Sequence, residues 1–173
     1  MRVGGTHVVD RGARTVAALV AAATAGALLA GCTVGEAHRA PDEVAASVED
    51  AGEQASSAVE TVTTAVDLAG RGRLTLTVAS TAQADSVRVL EEATRTLTTL
   101  APPDRGTGAA RDVTLAAVQD ATAAVVAAGD WVAASGSAQG VDRSAPPTAV
   151  LAALDDAGTA LDRAVTVAAG AGS

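Results

Sequence analysis

Lysine, phenylalanine and tyrosine are all missing from this 173-residue chain, which has one tryptophan, Trp131, and one cysteine, Cys32. Without large rings each buried side chain contributes little area, so a core built from Ala, Val and Leu must be tight and locally regular. That favours helices over a β-sandwich, which draws on aromatic and Ile-rich strands. A single cysteine leaves no partner for a disulfide within the chain and none for a Cys-ligated zinc site. Twelve bases stand against twenty acids, for a net charge of −8. Nucleic-acid binding needs a basic patch and stacking aromatics, so no nucleic-acid partner is expected.

What is present begins with a polar N-terminus. Residues 1–14 carry Arg2, Arg11 and Arg14, and Thr15–Ala30 is then an uncharged apolar run. This is the charged and apolar layout of an export signal. As a helix the run reaches only about 24 Å, short of the roughly 30 Å hydrocarbon core of a membrane. Arg11 and Arg14 are separated by Gly12-Ala13, which does not match the twin-arginine signal and favours general secretory export.

Leu29-Ala30-Gly31-Cys32 closes the run and resembles the lipobox of bacterial lipoproteins, a Leu and two small residues before Cys. The resemblance covers roughly residues 1–35. It implies cleavage between Gly31 and Cys32, a diacylglyceryl thioether on Cys32 with palmitate as the expected acyl chain, and a cell-membrane anchor on the extracytoplasmic face. A thiolate nucleophile and small flanking residues suit that chemistry. The alternatives are a buried free Cys, an ordinary secreted protein cut nearby, or an uncleaved signal anchor. The Lys-free, Ala-, Gly- and Arg-rich composition also resembles that of actinobacterial proteins. Loss of residues 1–31 would remove three arginines and one acid, making the remainder more acidic still.

The expected organisation is a signal peptide at 1–31, a lipidated Cys and tether at 32–40, a helical bundle at 41–169 and a disordered tail at 170–173. Thr33–Ala40 stretches at most about 28 Å and would hold the domain close to the membrane. It contains His38, read as a solvated histidine. The first helix is expected to open at Pro41, with Asp42 and Glu43 near its positive end. Val44, Val48, Val59, Val62 and Val66 recur on one face, with Ala51 and Ala55 in the gaps. Glu43, Asp50, Glu53, Glu60 and Asp67 form the opposite, solvated face.

Gly70-Arg71-Gly72-Arg73 breaks that pattern. Leu74–Val78 then alternates as a strand would, but no second run offers it a partner, so the second helix is carried through it to about Leu100. Val87, Leu90, Leu97 and Leu100 share its apolar face, and Glu91 with Arg95 forms an expected i,i+4 pair. Ala101-Pro102-Pro103-Asp104 stops it. A third helix from about Gly106 to Ser135 places Leu115, Val118, Thr122, Val125, Gly129 and Val132 on a stripe, with Trp131 beside it. Trp131 is read as covering the end of the core or an interface, with ligand stacking as the alternative. Gly136–Pro147 is a connection, Pro147 opens the last helix, and Leu151, Leu154, Gly158, Leu161, Val165 and Ala168 carry its apolar period. The fold expected is all-α, an antiparallel four-helix bundle, with a three-helix bundle as the alternative.

Catalytic constellations are not evident in the sequence. A serine or cysteine hydrolase needs a base, and beyond the leader the sole histidine is His38, in the tether. Glu-x-x-His di-iron motifs and complete phosphate loops are missing. The pairs Glu49-Asp50, Glu91-Glu92 and Asp155-Asp156 are adjacent on helices and so point about 100° apart, which suits solvated charge better than acid–base work. The expectation is a non-enzymatic, cofactor-free, lipid-anchored extracytoplasmic helical interaction module with a membrane contact through Cys32 and an envelope protein partner. The alternative is an accessory lipoprotein that binds a cation or small molecule for transport or sensing.

Overall fold

The computed structural model describes residues 39–137 and 147–172. Leu29, Ala30, Gly31, Cys32 and His38, the expected signal peptide and most of the tether lie outside the described residues. Four helices make up the rest: α1, Pro41–Gly70; α2, Leu76–Thr99; α3, Arg105–Ser137; and α4, Thr148–Ala171. No strand occurs among the described residues. The architecture is the antiparallel four-helix bundle expected from the period of the apolar residues, and the three-helix alternative is excluded.

Each boundary has a local cause. Pro41 opens α1, and Asp42 and Glu43 occupy its first turn. The helix closes through Gly72 at φ 68, the sole positive-φ glycine among the described residues. The Gly72 N–H donates to Ala69 O at 2.9 Å and the Arg73 N–H to Leu68 O at 2.8 Å, the paired bonds of a Schellman closure. Leu74 and Thr75 are therefore not helical, in contrast to the continuous reading of the sequence. The Gly72 closure turns the chain, and the extended Thr75 then caps α2 by accepting from the Val78 N–H at 3.4 Å. Asp104 caps α3 more strongly, its Oδ1 accepting from Gly106 N–H at 2.7 Å and Thr107 N–H at 3.0 Å.

Helix α3 begins one residue earlier and ends two later than expected. Likewise α4 runs to Ala171, two residues into the expected tail. A methyl group placed on Gly172 would lie 3.1 Å from Ala45 Cβ, so the end of α4 lies against the first turns of α1, which favours order over fraying.

Neighbours in sequence are neighbours in space, and α4 returns to pack on α1. Across α1 and α4 the register descends regularly: Gly52 meets Val165, Gly158 faces Val59, and Gly70 meets Pro147. Helices α1 and α3 also approach closely across the diagonal, whereas the α2 and α4 backbones stay apart. Small residues permit that close diagonal. The buried line of α3 is Ala110, Thr114, Ala117, Ala121, Ala124 and Ala128, together with Val118, Val125 and Val132. The expected stripe lies to one side of this alanine line, and of its members Leu115, Thr122 and Gly129 are only half-buried.

Leu90, Leu97, Leu154 and Leu161 fill the main core with the valines of α1. A smaller cluster of Ala65, Ala79 and Val132 lies near the α2 N-terminus, and Trp131 packs against both groups. Few polar bonds cross between helices. Ser86 Oγ, buried in α2, donates to Ala58 O of α1 at 3.1 Å, and Gln83 Nε2 of α2 donates to Val125 O of α3 at 3.5 Å.

Candidate functional site

The carboxylates singled out in the sequence do not converge. Glu91, Glu92, Asp155 and Asp156 are exposed, and Glu49 and Asp50 look outward from α1. No group of three or more His, Cys, Asp or Glu side chains among the described residues is arranged to hold a metal ion. Arg95 bonds Glu92 one turn back at i,i+3, not the expected Glu91. Both positions neighbour Arg95 on the helix surface, and the exposed guanidinium has taken the nearer turn. Among the described residues Asp104 is the carboxylate whose environment clearly shifts it. The Thr107 backbone N–H, opposed by desolvation and joined by the Gly106 N–H, holds its carboxyl below the ordinary value of 3.8. That is the chemistry of a helix cap and of no catalytic group.

Trp131 is half-buried near the C-terminal end of α1, where its ring edge would lie 3.9 Å from a methyl placed on Gly70. It packs against both apolar clusters, as the core-end reading expects.

An open groove of about 660 Å³ runs along the α1–α2 seam. Ser57, Ala58 and Thr61 form its α1 wall, and Val78, Ala82, Asp85 and Val89 its α2 wall. Carbon atoms make up most of its surface. A narrower continuation of about 180 Å³ runs past Gln54 to Asp50, Ala93 and Thr96. Val78 is 50% exposed and Val89 37% exposed, so two branched aliphatic side chains face water within one groove.

Sequence reasoning missed both valines as surface features. Their signal was a second apolar line on α2, Val78-Ala82-Val89, rotated by about 100° from the Ala79-Leu90-Leu97 core line. A second open groove, of about 470 Å³, lies between α3 and α4 and is lined by alanines with Asp120 and Asp156. None of the described helices is long and apolar enough to cross a membrane. Comparison of the chain with protein-family models, with curated proteins and with solved structures gave no match.

Proposed function

We propose that the protein is a non-catalytic helical interaction module, anchored by lipid on Cys32 to the extracytoplasmic face of the cell membrane. The observation that carries this reading is Leu29-Ala30-Gly31-Cys32 at the end of an arginine-preceded apolar run too short to span a bilayer. The helical bundle is consistent with it. Its described polar side chains are dispersed over a surface that offers open seams between helices, a form suited to contact with another macromolecule.

Two measurements on the full chain test the two halves of the proposal. Intact mass of membrane-extracted protein should show residues 1–31 removed and a diacylglyceryl thioether on Cys32. An unmodified thiol with the leader attached refutes the anchor. Cross-linking on intact cells followed by affinity capture should then recover an envelope protein that is lost with Cys32→Ser. Recovery of the same proteins with and without the anchor refutes the module.

A further inference from the structure

We infer that the α1–α2 groove is a docking site for a cationic amphipathic helix of a partner protein, one with small aliphatic residues on one face and Arg or Lys flanking it. The inference rests on the reading of the protein as an interaction module and specifies its partner and surface.

The shape of the groove selects a helix. Its floor is made of small residues, Ala58, Ala82 and Ala93, so an incoming backbone can approach closely. From Val78 to Thr96 along α2 it extends about 27 Å, the length of a helix of roughly 18 residues. Val78 and Val89 present branched apolar contacts about three turns apart, a span that a docked helix with anchors on every turn would cover. No sheet edge is present among the described residues to pair with an extended peptide.

The charge selects the partner. Every charged residue of α1 is an acid, and of these only Asp67 has an ion-pair partner, Arg71. Asp50 lines the narrow part of the groove, with Glu53 exposed on the next turn. On the opposite wall Asp85 is already paired with Arg88 of its own helix. The unpaired negative charge therefore flanks the α1 side of an apolar channel. A second copy would set one acidic α1 against another, and an anionic lipid surface would meet the same repulsion. A basic helix relieves it.

The test is a titration of the full-length ¹⁵N-labelled chain in detergent with a synthetic helical probe of about 18 residues carrying an Ala/Val stripe flanked by lysines. A scrambled probe of equal composition, with the stripe dispersed, is the control. The expected result is saturable binding with shifts centred on Val78, Val89 and Thr61, weakened about tenfold by Val78→Ser/Val89→Ser and less salt-sensitive in Asp50→Asn/Glu53→Gln. These exposed substitutions leave the core untouched, and unchanged Trp131 emission verifies that the fold is intact.

Equal binding of the scrambled probe, shifts at Ala123 and Ala127 in the other groove, or no saturation up to about 1 mM overturns the inference. Concentration-dependent self-association that buries Val78 and Val89 overturns it in favour of a second copy. Capture of an envelope partner whose cross-links avoid α1 and α2 also overturns this inference while leaving the interaction module standing.

Discussion

One substitution, glycine to alanine, should change stability in opposite directions at two positions on the same helix pair. Gly52 in α1 and Gly158 in α4 both lie inside helices at the α1–α4 contact. In either helix the new methyl group gains about 1 kcal/mol of intrinsic helix preference. At Gly158 its nearest neighbour would be Val59 Cγ1 at 4.0 Å, an ordinary contact. Gly158→Ala should therefore stabilise by about 1 kcal/mol. At Gly52 the same methyl would sit 2.7 Å from Val165 Cγ2, with Thr114 Cγ2 at 3.5 Å behind it. Val165 is β-branched and on a helix, so its rotamer cannot swing aside and the backbones must part. Overpacking of this kind costs about 1–3 kcal/mol, and the rigid neighbour puts Gly52→Ala in the upper part of that range. After the propensity gain, a net destabilisation of about 1–2 kcal/mol remains. Urea unfolding followed by Trp131 emission and far-ultraviolet circular dichroism should separate the two variants by about 1 M or more in midpoint. Val165→Ala should relieve the clash, giving a favourable coupling of about 1–2 kcal/mol with Gly52→Ala in a double-mutant cycle. Stabilisation of Gly52→Ala to the level of Gly158→Ala, or zero coupling to Val165, would refute the close approach of α1 and α4 at this level.

Leu97, fully buried in the last turn of α2, should cost about 2–5 kcal/mol on replacement by Ala, whereas Val126→Ala on the solvent side of α3 should stay within about 0.5 kcal/mol, both by urea unfolding. Asp104 has a native pKa below its unfolded one, so its contribution to stability is fully present above the unfolded value and is lost as pH falls through the native value. Asn retains the capping oxygen but not the charge, so Asp104→Asn should lose less of its thermal midpoint than the parent between about pH 5 and about pH 2. Parallel acid limbs for the two proteins would show that the cap charge is not coupled to folding.

The residues that were legible in the sequence are those whose side chains differ sharply from their neighbours. The valines of α1 stand against a face of acids, and all five singled out are buried. Gly70–Arg73 and Pro102-Pro103 ended helices where glycine and proline chemistry requires it. Leu74–Val78 was ambiguous because its alternation satisfies a strand and its last three residues satisfy a first helical turn equally well. The Thr75 cap decides between them, a local i,i+3 bond whose signal, a threonine just before the apolar run, the alternation masks. In α3 the contrast fails altogether. Alanines populate both its faces, so hydropathy cannot distinguish the buried Ala121 and Ala128 from the exposed Ala123 and Ala127. That choice is made by the diagonal contact with α1, which exists only once all four helices are assembled.

The same diagonal accounts for the groove. Because α1 and α3 meet across the bundle, α2 and α4 are held apart and each rests on only two neighbours. A helix supported on two sides buries one arc and leaves the rest to solvent, where polar residues suffice. Helix α2 departs from that economy: Ala79, Leu90, Ala93 and Leu97 satisfy its contacts with α1 and α3, yet Val78 and Val89 add aliphatic surface on an arc that no described element covers. Surface valines scattered singly carry no message, but two within one carbon-lined seam, beside a helix whose charges are all of one sign, share a direction. Small side chains in the core thus act at two levels. They let one diagonal close, and by closing it they open the α1–α2 seam whose lining the core itself does not use.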